Sequence, residues 1–450
     1  MKKILFKGGT LVSPRGTKRA DILVSGEKIL AVGKRLSADA QIIDVSGRLI
    51  FPGFVDAHTH FGAESGGAVS VDRFRTGTAG ALAGGVTTVV DFALQGAGET
   101  LTDALNNRHV DAFANSDCDY AFHMTIHEWN EQVRRELPAM FEQGVTSFKA
   151  MASLSDGDLF ELMTELKKHG GIVGFCCEDS ALTEKLTELL IKRGENSAAG
   201  YAKAHPDYAE AAGINRFLSI ARAAQAPCIV MLSSAAGYEE VLRARNNGVK
   251  VYAETCVPYL LLDDSAYNAP FEKAARFVCA PPLRKPEDKR VLWEGFKRDR
   301  LDAISSGHCA FTMEQKRAGI EDFSRIPAGM PGTEELAQLV YTYGVRKKRI
   351  SVQQMCACLS ENPARLYGLY PKKGALKAGS DADIIIFNPK AGGVIAAAKS
   401  HCACDYSPYE GARTEGGIEK VFLRGKLVCS NGEITQPYIG RFITRGKSGM

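Results

Sequence analysis

The sequence predicts an α/β protein made of a (β/α)8 barrel and a β-sandwich domain that is built from both termini. Three observations predict this fold. Eight short apolar runs alternate with helical segments, and eight strand-helix units are the number that closes a barrel. Short β-rich runs separated by turns precede the first of these units and return near the C-terminus. The chain has 450 residues, which is enough for both parts.

The eight apolar runs are the predicted barrel strands. They lie at residues 54–57, 87–92, 120–126, 146–149, 172–175, 228–232, 249–255 and 301–305. The segments between them have helical periodicity. Residues 158–169 carry apolar side chains at i, i+3, i+4 and i+7, and Gly170 and Gly171 follow as a helix stop. We therefore predict that the barrel spans residues 51–375.

The two ends of the chain share a different pattern, in which short β-rich runs alternate with turns. These runs lie at residues 3–7, 21–25, 26–33 and 41–45, and again at 383–387 and 421–429. The pair Arg424-Gly425 supplies a turn inside the last run. We predict one composite sandwich domain from residues 1–50 and 376–450.

Composition excludes several classes of function. The net charge is only +4, and no basic block is interleaved with aromatic residues, so nucleic acid is not an expected partner. No apolar run approaches the roughly 20 residues that a membrane span needs. The 12 cysteines are scattered through a long chain with no export signal, so we expect reduced thiols and a cytoplasmic protein.

The most informative stretch is Asp56-Ala-His58-Thr-His60, which ends the first predicted barrel strand. Residues at i and i+2 of a strand share a face, so His58 and His60 are expected to point the same way. Imidazole nitrogens bind divalent metals, and the C-terminal ends of barrel strands carry the chemistry of such folds. A single histidine would be read as a core residue. A pair at this position favours a metal site.

These strand ends resemble those of the dihydropyrimidinase and D-hydantoinase family of cyclic amidohydrolases, within the amidohydrolase superfamily. The resemblance runs along almost the whole chain. The matching segments are residues 52–60, 84–92, 147–149, 253–256, 281–284, 307–309, 322–327, 362–364, 379–383 and 405–411.

The resemblance implies a TIM barrel with a β-sandwich, a homotetramer or homodimer, and hydrolysis of a non-peptide C–N bond in a small-molecule cyclic amide. It also implies two divalent metals, usually zinc. They would be held by an H-x-H pair, a carboxylated lysine, two further histidines and an aspartate. Two cations that share a hydroxide lower its pKa, and the aspartate moves the proton to the leaving nitrogen.

Half of that ligand set is present. By the resemblance, His58 and His60 match the H-x-H pair and Lys149 matches the lysine that becomes carboxylated. Cys176 and Met231 stand where the family has histidines, and Gly307 stands where it has the aspartate. This last change removes a metal ligand and the proton carrier together.

Positions that face the substrate in the family differ as well. Leu154 aligns with a tyrosine, Ala280 with a serine and Ala328 with an asparagine. The tyrosine hydroxyl would stabilise the oxyanion, and removal of one such group typically costs about 100-fold or more in rate.

Three interpretations follow. The chain is a descendant that has lost binuclear ring opening. Alternatively, it is an active hydrolase with a single metal, whose shell is completed by Cys176, Glu178 or Asp179. A third interpretation is a site for a soft ion such as copper, because Cys176 and Met231 add sulfur to the two imidazoles; against it, both side chains are also expected as apolar filling. His123 and His127 are expected to pack or to line the barrel mouth.

Overall fold

A computed structural model of the chain describes residues 3–175 and 178–449. Within these ranges the strands form a nine-stranded sheet, an eight-stranded parallel sheet and a small two-stranded ribbon. The eight-stranded sheet is the barrel, and the nine-stranded sheet combines strands from both ends of the chain. The predicted fold class is confirmed.

The strands, in chain order, are β1 Lys3–Ser13, β2 Gly16–Ser25, β3 Lys28–Gly33, β4 Gln41–Asp44, β5 Leu49–Pro52, β6 Phe54–Thr59, β7 Glu64–Ser65, β8 Ala68–Val69, β9 Val86–Ala93, β10 Asp119–Ile126, β11 Ser147–Ala150, β12 Ile172–Phe175, β13 Cys228–Leu232, β14 Val251–Cys256, β15 Ala303–Ser305, β16 Ile384–Val394, β17 Arg413–Leu423, β18 Lys426–Ser430 and β19 Glu433–Ile434.

The α-helices are α1 Phe74–Ala83, α2 Leu101–Ala112, α3 Glu131–Glu142, α4 Asp156–His169, α5 Ser180–Lys192, α6 Ala198–Ala204, α7 Asp207–Ala224, α8 Ala235–Asn246, α9 Val257–Leu261, α10 Phe271–Ala274, α11 Pro286–Lys297, α12 Met313–Lys316, α13 Leu336–Leu339, α14 Val352–Cys356 and α15 Asn362–Leu366. None of the helices in the described ranges is both long enough and apolar enough to cross a membrane.

The barrel strands follow one another in the order β6, β9, β10, β11, β12, β13, β14, β15, all parallel. Each of the eight predicted runs is one of these strands, with ends that differ by at most two residues. Contacts between β6 and the chain after β15 close the ring. The His60 amide donates to the His308 carbonyl at 2.8 Å, and the Ser306 amide donates to Asp56 Oδ1 at 3.0 Å.

The terminal sheet has the order β19, β18, β17, β16, β5, β1, β2, β3, with β4 paired to β1. Its joint is the antiparallel pair of β5 and β16, which brings the two ends of the chain together. The predicted turn Arg424-Gly425 lies between β17 and β18, and both residues have positive φ. Four strands, β1, β2, β16 and β17, extend well beyond the predicted runs. β1 continues to Ser13 because Gly8, at φ +82°, accommodates a bulge.

Gly53 links the terminal sheet to the barrel, between β5 and β6. Its amide donates to the Asp383 carbonyl at 2.9 Å, and a Cβ at this position would lie 1.9 Å from Thr87 Oγ1. Only glycine lets the backbone at position 53 lie this close to Thr87. β5 crosses the predicted domain boundary between residues 50 and 51. The division into a sandwich domain of residues 1–50 and 376–450 and a barrel of residues 51–375 stays a prediction.

The barrel interior is apolar at its floor and polar above it. One inward layer is Val55, Ala57, Val90, Ala121, Ile172, Ile229, Tyr252 and Ala303, which Leu366, Tyr367, Leu369 and Ile443 seal from below. The next inward positions include His58, Phe92, His123, Lys149, Met231 and Glu254. The floor of the barrel therefore supports a polar layer beneath the mouth.

The C-terminal tail crosses this floor. The Ile443 amide donates to the Tyr120 carbonyl at 2.8 Å, and Arg445 inserts its guanidinium between β10 and β11. Arg445 Nη1 donates to Ser147 Oγ at 2.7 Å, and Nη2 donates to the Phe122 carbonyl. Burial lowers the pKa of Arg445 to about 9.

A buried ion cluster joins the barrel to the terminal sheet. Lys373 Nζ lies 2.5 Å from Asp119 Oδ2, 2.7 Å from Asp383 Oδ2 and 3.0 Å from Asp381 Oδ2. Burial alone would lower the pKa of Lys373, but the three carboxylates outweigh burial and raise it. Asp119 begins β10 and Asp383 immediately precedes β16, so one ammonium ties the two sheets together.

We expect Lys373→Met to lower the free energy of unfolding by roughly 3–5 kcal/mol, because it removes the buried cation that three carboxylates share and leaves Asp383 without an ion-pair partner in the described residues. Urea denaturation measures this loss. The exposed neighbour Lys372 offers a matched control: Lys372→Met should stay within about 0.5 kcal/mol of the unaltered chain. Equal effects of the two changes would contradict the assigned role.

The segment 400–411 docks on the barrel. Asp405 Oδ1 accepts the Met313 amide at 3.1 Å, and Ser407 Oγ donates to Glu335 Oε1 at 3.3 Å. Burial, and then the neighbouring Glu334, raise the pKa of Glu335 to about 7. The docked segment therefore covers a carboxyl group that folding holds in its protonated form below neutral pH.

This shift predicts a pH-dependent effect of Glu335→Gln. Above pH 7 the folded chain bears the cost of a buried carboxylate, whereas below pH 4.5 the group is protonated in both states. We expect the change to raise the free energy of unfolding by up to about 3 kcal/mol at pH 8 and by little at pH 4. Urea denaturation at both pH values tests this, with exposed Glu321→Gln as control. The same effect at both pH values would be the contrary result.

Candidate functional site

A β-bulge in β6 turns both site histidines into the barrel. Between Asp56 and Thr59 the strand advances three residues while its partner β9 advances two, from Val89 to Asp91. Ala57 and His58 consequently both face inward, and His60 follows on the same side. Bulges commonly re-aim side chains next to functional sites. The predicted inward pair His58 and His60 is thus formed, but through an inserted residue.

Glu254 fixes the orientation of His58. His58 Nδ1 lies 2.7 Å from Glu254 Oε1, and the Tyr367 hydroxyl donates to Glu254 Oε2 at 3.2 Å. All three side chains are buried. Because a carboxylate only accepts, Nδ1 carries the hydrogen of this contact, and Nε2 is the ring nitrogen left to bind a metal. This is the arrangement that orients metal-binding histidines in proteins.

His60 and Lys149 flank the ring of Phe92. The His60 ring stacks on Phe92 with centroids 4.6 Å apart, and Lys149 Nζ lies 4.6 Å from the same centroid. Withdrawal from water, and then the charge of Lys149, lower the pKa of His60 well below its ordinary value. His60 is therefore a neutral imidazole at neutral pH.

A cavity of about 190 Å³ at the barrel mouth brings most of the predicted site residues together. Its lining includes His58, His60, Lys149, Met231, Ala280, Gly307 and Ala328. It also includes three thiols and a second thioether, from Cys256, Cys279, Cys309 and Met330. The remaining ionisable groups are the buried phenol of Tyr259 and Glu64, an exposed residue at the rim.

The two described replacement positions supply no hard or borderline metal ligand. Met231 is buried on β13, opposite Glu254 of β14, and offers only a thioether. Gly307 has φ +66°, and a Cβ there would lie 2.9 Å from Cys256 Sγ. A side chain at position 307 therefore requires the Cys256 thiol to move. Burial, and then Glu254, raise the pKa of Cys256 well above that of an ordinary thiol.

Other predicted site residues lie elsewhere or are engaged. Leu154 is buried behind the mouth, where its carbonyl accepts from Arg216 Nη2 at 3.2 Å, and it does not line the cavity. Cys176 lies outside the described residues. Asp179 caps α5 through the Leu182 amide, and Glu178 contacts Arg284 and His205. The carboxylates of Glu178 and Asp179 are therefore committed to other partners.

His123 has structural partners. His123 lines a small cavity of about 40 Å³ beneath the mouth, where its ring nitrogens contact Ser147 Oγ at 2.6 Å and the Ala57 carbonyl at 3.0 Å. Burial, and then the charge of Arg445, lower the pKa of His123 well below its usual value. His123 thus packs inside the barrel, as predicted.

Two clusters of potential ligands among the described residues lie away from this cavity. One is Asp119 with Asp381 and Asp383, where Lys373 supplies the positive charge. The other is Asp72, His308 and Cys402. His308 Nδ1 faces the amides of Gly332 and Thr333, so the hydrogen sits on Nε2, which contacts Asp72 at 3.2 Å. In both clusters the carboxylates already have a described partner, Lys373 in the first and His308 in the second.

Sequence reasoning missed Glu254, Tyr367 and the bulge. The usable signal for Glu254 was a carboxylate inside an otherwise apolar barrel strand, because such a group needs a partner when buried. Tyr367 had no comparable signal, since it reaches Glu254 from a segment more than 100 residues away.

Comparisons with known proteins agree with this geometry. The model of the amidohydrolase family matches residues 99–428. The chain is 35% identical over 456 residues to D-hydantoinase of Geobacillus stearothermophilus, covering 99% of this chain and 97% of that protein. It is 35% identical over 447 residues to D-hydantoinase of Streptomyces coelicolor, covering 96% of each.

The solved structures extend the likeness to three dimensions. The crystal structure of dihydropyrimidinase from Brevibacillus agri NCHU1002 superposes with a TM-score of 0.98 at 34% identity, and the match covers 100% of both chains. On the evidence of sequence, fold and strand-end residues together, the chain belongs to the amidohydrolase family and is a hydantoinase- and dihydropyrimidinase-like member of it.

Proposed function

We propose that this chain comes from the cyclic-amide C–N hydrolase lineage and has a degraded binuclear metal site, so that ring-opening hydrolysis of the family type has been lost. One observation carries the proposal. The cavity that gathers His58, His60 and Lys149 presents Met231 and Gly307 at the positions where the family resemblance implies a histidine and an aspartate. Cys176 is the third replaced position.

The donor chemistry does not fit a pair of zinc ions. Zinc takes imidazole, thiolate or carboxylate ligands, and a thioether is a poor substitute. With Gly307 in place of the carboxylate, no described side chain at this position receives a proton for transfer to a leaving nitrogen. Without metals to hold it, a carbamate on Lys149 would be labile, so we propose that Lys149 is not carboxylated.

The proposal also includes a ligand class, an oligomeric state and a location in the cell. A small cyclic amide is the ligand class for an active form, and a homotetramer or homodimer in the cytoplasm is the expected state. The relatives named hydantoinases and dihydropyrimidinase support this class because they match the chain from end to end.

We expect the purified chain, supplied with excess zinc, to retain no tightly bound metal pair and to open neither hydantoin nor dihydrouracil. Elemental analysis after dialysis and a ring-opening assay measure both. The combined variant Cys176→His, Met231→His and Gly307→Asp should recover metal binding, because it restores three ligands.

A fourth change sharpens this comparison. Since a Cβ at 307 meets Cys256 Sγ at 2.9 Å, adding Cys256→Ala to the combined variant should increase metal occupancy further. Two tightly bound metals in the unaltered chain would refute the proposal outright. Leu154, Ala280 and Ala328 remain in every variant, so metal content rather than turnover is the decisive measurement.

A second candidate function is hydrolysis with one metal ion, held by His58 and His60. The 2.7 Å contact of Glu254 with His58 favours it, because this contact leaves His58 Nε2 free to bind. Glu254→Gln should then weaken zinc binding about 10- to 100-fold. Equilibrium dialysis tests this, with exposed Glu239→Gln as control. Unchanged zinc affinity would remove the candidate.

A further inference from the structure

The Lys149 ammonium has no carboxylate partner among the residues that the structure describes. Its described contact is the face of Phe92, 4.6 Å away, and it lines both the mouth cavity and the smaller cavity beneath it. A cation without a counter-charge in a partly buried site attracts an anion, because low surrounding polarity strengthens the interaction.

The buried carboxylates nearest the mouth are already engaged, and the exposed Glu64 at the rim forms no ion pair with Lys149 among the described residues. Glu254 accepts from His58 and Tyr367. Asp91 pairs with Arg108, and Asp56 accepts the Ser306 amide and the Thr333 hydroxyl. These groups are held by partners other than Lys149, and position 307, which would bring a carboxylate into the cavity, is glycine.

The barrel floor adds a second positive charge beneath the mouth cavity. The Arg445 guanidinium is buried and donates to Ser147 Oγ and the Phe122 carbonyl, and it forms no ion pair within the described ranges. Ser147 and Lys149 both line the cavity beneath the mouth. Two cations, Lys149 in the polar layer and Arg445 in the floor beneath it, therefore lie near one carboxylate of that layer, Glu254.

The size and lining of the cavity select the kind of anion. About 190 Å³ suits a small molecule, below the range of a drug-sized ligand. Ala280, Ala328, Met231 and Met330 give it an apolar wall, whereas His58 and His60 offer imidazole groups near the ammonium. An apolar wall facing a cationic end matches a short organic acid.

We infer that the barrel mouth binds a small organic monocarboxylate, whose carboxylate group pairs with Lys149 and occupies the space that a side chain at position 307 would take. This inference rests on the proposed loss of the metal pair, which leaves Lys149 as an ammonium. The chain would then act as a binding protein for short carboxylates.

The first test compares two probes on the full-length, chelator-treated chain by calorimetric titration. Acetate should bind roughly tenfold or more tightly than acetamide, its neutral counterpart of similar shape, because only acetate forms an ion pair with the ammonium. N-carbamoylglycine, the acid that opening of hydantoin yields, should bind at least as well as acetate. Equal binding of acetate and acetamide, or binding of neither, would overturn the inference.

The second test changes the charge of the site. Lys149→Met should weaken acetate binding about tenfold or more, whereas exposed Lys168→Met should leave it unchanged. Gly307→Asn should weaken it by filling the space that the carboxylate takes, and Gly307→Asp should weaken it further because it also adds a negative charge. The last two variants impose the same backbone and steric demands, so a difference between them reports charge alone. Acetate affinity that is the same in all four variants would contradict the assignment.

A final measurement separates this inference from the proposed function. Elemental analysis of the same preparation reports the metal pair: if two metals are tightly bound, the proposed function fails. If the chain is metal-free and acetate does not bind, only the inference fails. Carbon-13 spectroscopy with labelled bicarbonate should show no carbamate on the metal-free chain. A carbamate on Lys149 would repel a carboxylate, so its detection would overturn the inference.

Discussion

The extra residue in β6 is the constraint on which the barrel mouth depends. The bulge between Asp56 and Thr59 changes the inward face of the strand, so that Val55 and Ala57 point to the apolar floor and His58 and His60 point to the mouth. Thr59 faces away and donates to Asp91 at 2.8 Å. Without the added residue, the strict alternation of a strand would direct Thr59 into the barrel in place of the two imidazoles.

The polar groups above the floor then determine what the mouth can hold. Glu254 and Tyr367 fix His58, while His60 and Lys149 share the ring of Phe92. These side chains have the arrangement expected of a metal-ion site. The opposite wall is formed by Met231, Gly307 and the thiols around them, which supply neither a hard oxygen nor an imidazole. The mouth thus keeps one half of an ion site and replaces the other half with sulfur and open space.

Much of this could be predicted from the sequence. The eight strands were recognisable because buried parallel strands read as continuous apolar runs, and Arg424-Gly425 was recognisable as a turn. The inward pair His58 and His60 was predicted from simple alternation, which gave the correct pair without revealing the bulge. Local patterns carry no information on the distant partners of a buried group. The contact of Glu254 with Tyr367 and the insertion of Arg445 under β11 therefore became visible only in three dimensions.

The segment that follows β19 contributes to the interior of the barrel. Residues 440–449 bridge the starts of several barrel strands, and Arg445 reaches Ser147, which borders the same cavity as Lys149 and His58. An affinity tag fused after Met450, or a protease that trims the last few residues, would disturb the underside of the binding chamber while leaving every residue of its opening intact. The chain is better extended at its other end, where the exposed Lys3 begins β1, a strand that pairs with β2, β4 and β5 in the terminal sheet and does not enter the barrel.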